Sequence, residues 1–468
     1  MYRIRIRVSF TFPACHKHAG AQHHGAGCGS RVRPRSSRVL PVTPNPPHDA
    51  AESSPESSQP SPGRKAPRPK VPTDLKVLVV AAFVIAAGYG VVAPVLPQFA
   101  TSFGVGATAA GAVMSAFALM RVAWAPVAGP IMSRVGERRT YLMGLAVVAL
   151  SSAATAFAPS YILLVILRGL GGIGSVMFTV SAMGLIARLA PPSIRAKVSG
   201  YYATSFMLGS IMGPVIGSLT AAWGLRAPFV IYALALVFAI AVAAWKLRPV
   251  EARTDTGSVL LPMTFSQAWS IGSYRSLLLA SFAHGWANLG ARVAIIPLFA
   301  TAIATASGAP ASGFGSGASV AGIALGVFAG GSALSQILFG GLSDRYGRRP
   351  FLVTGLVVAA ILTGVLGGAG HAWSLWALCL LAGLSTGLYT PSMQATLTDI
   401  VGSKRSGGNV MSAYQACADV GQIIAPIVLG AVIDDVGFAP AFGISGGLLA
   451  LAGVVLFLTP RASFPQKD

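Results

Sequence analysis

At 468 residues the chain is long enough for two or three soluble domains, yet 54% of its residues are hydrophobic and only 10% charged, where soluble proteins carry roughly a quarter charged residues. No Asp, Glu, Lys or Arg occurs between Arg292 and Asp344, nor between Arg349 and Asp399, and each gap has room for two membrane crossings of roughly 20 residues with a turn between them. A net charge of +21 would suit nucleic acid in a soluble chain; here an all-α polytopic membrane protein is expected, with no nucleic-acid partner.

Residues 1–73 hold 12 Lys/Arg and 3 Asp/Glu among many Pro, Ser and His. Such a segment cannot bury a core, so it reads as a disordered basic tail, unless translation starts near Val71. Arg3, Arg5 and Arg7 precede an apolar stretch too short for a signal peptide. Cys15, His16, His18, His23, His24 and Cys28 are ligand types that suit zinc or copper, but without a folded frame neither a metal site nor a cofactor is expected.

About twelve apolar runs follow, near 77–99, 107–131, 140–158, 161–187, 198–223, 227–246, 277–304, 316–341, 350–369, 373–398, 408–433 and 437–458. With the amino terminus inside, 18 of the 22 basic residues beyond the tail fall in cytoplasmic segments, which satisfies the positive-inside rule and leaves both termini in the cytoplasm of a cell membrane. The expected organisation is a six-helix bundle over 74–248, a cytoplasmic linker over 249–275 and a second bundle over 276–468. Cys379 and Cys417 sit in spans as small apolar residues, and no disulfide framework is implied.

Ionisable residues inside spans are costly and mark function by default. Arg121 lies about ten residues above the inner end of span two and Asp419 about eleven above that of span eleven, so both sit roughly 15 Å up. Arg168 stands roughly 10 Å from the outer end of span four. On span seven, His284, Asn288 and Arg292 recur at i, i+4 and i+8, a polar stripe that faces either a watery cavity or a neighbouring helix. If Arg168 and Arg292 line a cavity with no nearby carboxylate, its field favours neutral or anionic solutes. Tyr89, Tyr201, Tyr202, Tyr389 and Tyr414, with Gln98, Gln394 and Gln415, are further lining candidates or packing and interface residues. Gly209, Gly213 and Gly217 form a smooth stripe on span five, where Pro214 weakens the helix, and Gly322, Gly326 and Gly330 match it on span eight; both stripes also fit ordinary close packing.

The chain repeats itself. GPIMSRVGERR (Gly129–Arg139) recurs 211 residues on as GGLSDRYGRRP (Gly340–Pro350), and Gly90–Thr101 matches Gly290–Thr301. Gly136 and Gly347 permit tight turns, the neighbouring arginines suit anionic headgroups, and Asp344 can cap a helix or pair with Arg. The alternative for the basic residues is that they only obey the positive-inside rule.

These residues resemble the major facilitator superfamily, and within it the twelve-span drug:proton antiporters. Gly340, Leu342, Asp344, Arg345, Gly347, Arg348 and Arg349 complete its loop motif. The first copy keeps Gly129, Ile131, Arg134, Gly136, Arg138 and Arg139, with Ser133 and Glu137 departing from the pattern. Gly200, Gly209, Gly213, Pro214 and Gly217 resemble the antiporter motif, with Ser218 replacing its last glycine; Arg168, Gly172 and Gly174 resemble the fourth-span motif, and Gly88, Pro94 and Pro97 the first-span motif. The resemblance implies two pseudo-symmetric six-helix bundles about a midplane site. It also implies contact between spans two and eleven and between spans five and eight, and a role for Arg168 in proton transfer or substrate contact. An Arg121–Asp419 pair is then expected to stabilise one access state and to release on protonation of Asp419, or else to be purely structural. The expected activity is export of a small organic molecule in exchange for protons by a single copy in membrane lipid. Import of a metabolite by symport or facilitation, or a non-transporting receptor or adaptor, is the alternative. No P-loop or nucleophile–base spacing supports an enzyme.

Overall fold

The computed structural model describes residues 73–190, 192–247, 263–310, 315–402 and 408–460. The Cys/His cluster of the tail and most of the expected linker lie outside them, and of Ser133, Gly340, Asp344 and Arg345 only the helical backbone is described. The helices are α1 (Thr73–Val92, continued after a turn by Leu96–Thr101), α2 (Ala107–Val135), α3 (Glu137–Ala156), α4 (Tyr161–Leu189), α5 (Pro192–Thr220) and α6 (Ala227–Lys246). The second half comprises α7 (Gly272–Ala306), α8 (Gly317–Tyr346), α9 (Arg348–Val365), α10 (Ala372–Val401), α11 (Gly408–Val436) and α12 (Phe438–Leu458). Eleven of them are long and apolar enough to cross a membrane. The twelfth expected span is α3, which starts on Glu137, Arg138 and Arg139 and carries Ser151 and Ser152, so it is less apolar at a similar length. A short helix, Phe265–Trp269, with a capping box on Thr264, precedes α7, whose start at Gly272 falls inside the expected linker.

Within each half consecutive helices are antiparallel because the turns between them are short. The sharpest are Gly136 (φ 89°, ψ 151°) and Gly347 (φ 90°, ψ 148°), each ending one helix and starting the next in a conformation that L side chains rarely adopt. The end of the molecule that carries them is called the motif end, and the opposite one the far end. Each half buries its own apolar core: Leu78, Tyr141, Leu164, Phe229 and Leu236 in the first, Leu277, Ile296, Leu356, Leu375 and Leu449 in the second. Large apolar residues such as Leu150, Phe157, Leu234 and Phe238 remain outside, a surface suited to lipid rather than water.

The glycine stripe of α5 packs within its own half. A Cβ at Gly209, Gly213 or Gly217 would stand 2.5, 2.4 or 2.2 Å from the backbone oxygens of Phe83, Ala87 or Val91, all on α1. α5 and α8 do meet, but through Gly322 and Gly326 of α8 against Pro214, Val215 and Ser218 rather than through the stripe of α5. Glycine spacing shows that a helix approaches closely, not which helix does so. A Gly213→Leu variant is therefore expected to lose the monodisperse folded protein on size-exclusion chromatography, whereas Gly330→Ala, where an added Cβ meets nothing within 4 Å, should elute as the unaltered chain does.

Candidate functional site

The two halves meet at the far end through a pair of related contacts. On α2, a Cβ at Gly111 would stand 2.1 Å from the carbonyl oxygen of Pro426 on α11; on α8, one at Gly322 would stand 2.5 Å from that of Pro214 on α5. Gly111 and Gly322 are 211 residues apart, the spacing of the loop motif. Pro214 also presses its ring on Gly90, and Pro426 on Gly290. One turn further from the far end, the Ser115 hydroxyl donates to the Ile423 carbonyl at 2.6 Å, and Gly326 faces Val215. At Gly330, another turn on, the space is open. The halves thus close the far end and part toward the motif end.

An asymmetric latch completes the closed end. Gly106, before α2, has no side chain to cap the helix, so Asp434 of α11 reaches across. Its carboxylate accepts from the backbone N–H groups of Ala107 and Thr108 at 2.8 and 2.9 Å and from the Thr108 hydroxyl at 2.6 Å. This satisfies donors otherwise orphaned at a positively polarised helix start. In the second half the equivalent helix α8 is capped locally by Ser316. Gln98, expected to line a cavity, lies on the seam between halves instead, donating to the Pro297 carbonyl at 3.4 Å, because it follows the turn that redirects α1.

At the motif end the loop residues bind helix termini within each half. Arg138 donates to the carbonyls of Leu247 and Ala244 at the end of α6, at 2.7 and 2.6 Å. Arg349, its repeat equivalent, donates to that of Phe457 at the end of α12. Both place a cation on a helix C-terminus, where the dipole favours it. Glu137 pairs with Arg188 at 2.8 Å, and the equivalent Arg348 pairs with Asp399. Each partner is also 211 residues from its counterpart, so the two halves hold the same ion pair with the charges exchanged. Glu137 therefore departs from the motif in concert with Arg188. Arg134 is exposed.

Between these ends lie the buried charges. Arg168 and Arg292 are 2% and 3% exposed, and neither makes a hydrogen bond or ion pair among the described residues. Each guanidinium lies over a phenylalanine: Arg168 is 4.9 Å from the centre of the Phe117 ring and Arg292 is 3.7 Å from that of Phe328. The rings are repeat equivalents and are held alike. A Cβ at Gly172 or Gly383 would come within 2.2 Å of the Phe117 or Phe328 carbonyl. Tyr89 stacks at a tilt on Phe117.

The span-seven stripe is rearranged by a π-helical segment, Gly285–Ala291, which widens the turn between His284 and Arg292; such segments recur at functional sites. His284 and Asn288 bond the hydroxyl of Tyr389 on α10 at 2.9 and 2.8 Å, and Thr386 donates to Asn288 at 3.4 Å. Those two therefore serve helix–helix bonding, with Tyr389 fully buried, while Arg292 alone turns to Phe328. The α2–α11 register (Gly111 beside Pro426, Ser115 beside Ile423) carries Arg121 and Asp419 to similar depths, but they form no ion pair here; Asp419 accepts from Gln415 at 3.1 Å. Tyr202 and Tyr414 are buried, and Tyr201 and Gln394 are exposed.

A family model of the Major Facilitator Superfamily matches residues 78–307 and 288–468. The Quinolone resistance protein NorA of Staphylococcus aureus (strain MRSA252) is 25% identical over 402 residues, covering 84% of this chain and 98% of that protein. Multidrug resistance protein 2 of Bacillus subtilis (strain 168) is 27% identical over 165 residues, 35% of this chain and 41% of its own length. Among solved structures, a bacterial homologue of the human lysosomal transporter Spinster gives a TM-score of 0.66 at 15% identity, covering 84% of this chain and 98% of that one. The nucleoside transporter NupG gives 0.65 at 15% identity, covering 83% and 100%. At such identities the two structures speak for the fold alone.

Two outcomes follow from the contacts at the ends. Glu137→Arg should lower the melting midpoint of the purified protein, by about 1–3 kcal/mol of stability for a charge left facing its like, and adding Arg188→Asp should restore it. Asp434→Ala removes a cap worth about 0.5–2 kcal/mol, so a cysteine replacing Tyr89, in a background without other cysteines, should be alkylated from the far side faster, roughly twofold to thirtyfold.

Proposed function

The chain belongs to the major facilitator superfamily, and from that premise we propose that this membrane transporter exports a small organic molecule in exchange for protons by alternating access. The observation that carries the reading is the one-sided contact between halves, closed from Gly106 to Ser115 on α2 and open beyond. Contacts made of glycine against backbone can separate and re-form without side-chain repacking, which suits rigid-body rocking about a site near mid-depth. Export is supported by the antiporter-like Gly209–Gly213–Pro214–Gly217 run, by similarity to proteins named for quinolone and multidrug resistance, and by the basic motif end, which the positive-inside rule assigns to the cytoplasm of the cell membrane.

In this reading Asp419 is the proton carrier. With the motif end closed, α2 and α11 approach along their full length, and ionised Asp419 meets Arg121. A proton arriving from the far side neutralises Asp419, breaks that pair and favours the open motif end seen here, where the proton leaves and substrate enters. Substrate binding then favours closure, and release at the far side completes the exchange. Arg168 holds the roof of the cleft in place over Phe117.

The test is reconstitution of the full chain in vesicles with an imposed pH gradient and a panel of organic solutes. Accumulation opposite to the proton flow is expected; accumulation along it would establish import instead, and no movement of any solute would support a receptor. Asp419→Asn should abolish gradient-driven accumulation while leaving solute-for-solute exchange intact. Unchanged gradient coupling in that variant would remove Asp419 from the mechanism.

A further inference from the structure

On the lipid-facing surface of the first half, α3 and α6 leave an open groove of about 410 Å³ between them, within the roughly 300–1,000 Å³ of sites that hold small ligands. Ala149 and Ala233 are buried at its floor, and Leu150, Leu234 and Val237 are exposed at its rim. Every residue that lines it is apolar.

The groove follows from two departures from the repeat. In the second half a Cβ at Gly446 of α12 would stand 2.6 Å from the Ala360 carbonyl oxygen of α9, and one at Gly367, just past α9, 2.5 Å from the Cα of Ala439. Counted back by 211 residues, those glycines are Ala235 and Ala156, and Ala360 is Ala149 of the groove floor. The two added methyl groups keep α3 and α6 from the close approach that α9 and α12 make.

Charge departs from the repeat at the same place. On α6 the groove runs from Val230 to Ile240, about 15 Å, which is half of a hydrocarbon core of roughly 30 Å. Arg226 stands one turn before Val230 and shares a stripe with Val230, Ala233, Val237 and Ile240. Its repeat equivalent is Gly437, and no other Lys or Arg occurs in the far-end connections 93–106, 157–160, 221–226, 307–316, 366–371 and 437. Arg226 is exposed and in no ion pair among the described residues; its guanidinium is 6.0 Å from the centre of the Phe99 ring, the outer limit of a cation–π contact. Trp223, 77% exposed one turn earlier, suits the interface and sets this level at the lipid headgroups.

We propose that the groove is a binding site for an anionic phospholipid of the far-end leaflet, with one acyl chain along α3 and α6 and the phosphate on Arg226. An acyl chain is apolar, narrow and one leaflet long, as the groove is. A guanidinium with no carboxylate beside it takes a phosphate through paired donors and favours an anionic headgroup over a zwitterionic one. The site depends on the membrane-spanning fold and not on transport, its direction or its coupling.

The test titrates the full-length purified chain in detergent with phosphatidylglycerol, phosphatidylcholine or glycerol phosphate. Bound lipid is counted by native mass spectrometry, and the melting midpoint is followed alongside. One phosphatidylglycerol held per chain in preference to phosphatidylcholine, with a raised midpoint, is expected, and glycerol phosphate, which has no acyl chain, should change nothing. Arg226→Gln should weaken phosphatidylglycerol binding about fivefold, the worth of one basic residue at an anionic surface, and abolish the preference, whereas Arg226→Lys should keep it. Filling the groove with Ala146→Leu and Ala153→Leu should remove the tight site for both lipids; if that double variant does not fold, the two Arg226 variants carry the test. Equal retention of the two lipids, unaltered binding in the Gln variant, or a site that survives filling would each overturn the proposal. So would glycerol phosphate acting as strongly as the lipid, which would leave an anion site without the groove, and a dimer that filling disperses, which would give the groove to a second copy.

Discussion

The structure depends on how closely two backbones can approach where the halves meet. Gly111 against Pro426 and Gly322 against Pro214 bring helix surfaces together at distances that no other residue type allows. These contacts cost little to break, since they involve no interdigitated side chains and few hydrogen bonds. Their placement at one end leaves the other end open and sets the roof of the cleft. The depth of the buried arginines and the reach of Asp434 across the seam both follow from that one-sided closure.

Around this seam the repeat supplies rigidity, and the departures from it supply direction. Each half is stapled at the motif end by the same constellation: a tight glycine turn, an arginine on the carboxyl end of its last helix, and an ion pair between the third and fourth helices of the half. Because Glu137–Arg188 and Arg348–Asp399 carry opposite polarity, the two bundles are alike in shape and unlike in local field. Among the described residues the start of α8 is capped by its own Ser316 and not by a carboxylate from the other half, so opening the far end breaks a charged cap at α2 alone among them. The buried arginines come from unrelated helices, α4 and α7, yet reach equivalent phenylalanines; shape is repeated where charge is not.

Much of this was legible in the sequence because membrane insertion imposes strong rules. Uncharged runs of the right length, basic residues at alternate ends and the recurrence of Gly136 and Gly347 sufficed for the helices, their order and the two-bundle plan. The partner of α5's glycine stripe was not legible, since spacing reports close approach without naming the neighbour. The π-helical segment hides behind an ordinary i, i+4, i+8 pattern, so His284 and Asn288 read as cavity residues when they bond Tyr389. The role of Asp434 was not legible, because a carboxylate near a helix end reads as a solvent-facing group. The exchanged ion pair was recoverable: Glu137 and Arg348, and Arg188 and Asp399, stand at the same 211-residue offset as the motif itself.

Alternation between ends is tested most directly by distance measurements on spin-labelled protein in lipid. One pair of labels spans the far end, at Trp223 and Thr305, and another spans the motif end, at Arg139 and Tyr346. Rocking predicts a short far-end and a long motif-end distance for the empty protein at acid pH, with the two changing in opposite senses as bound substrate or alkaline pH shifts the balance. Distances that change together, or a motif-end distance that never shortens, would contradict it.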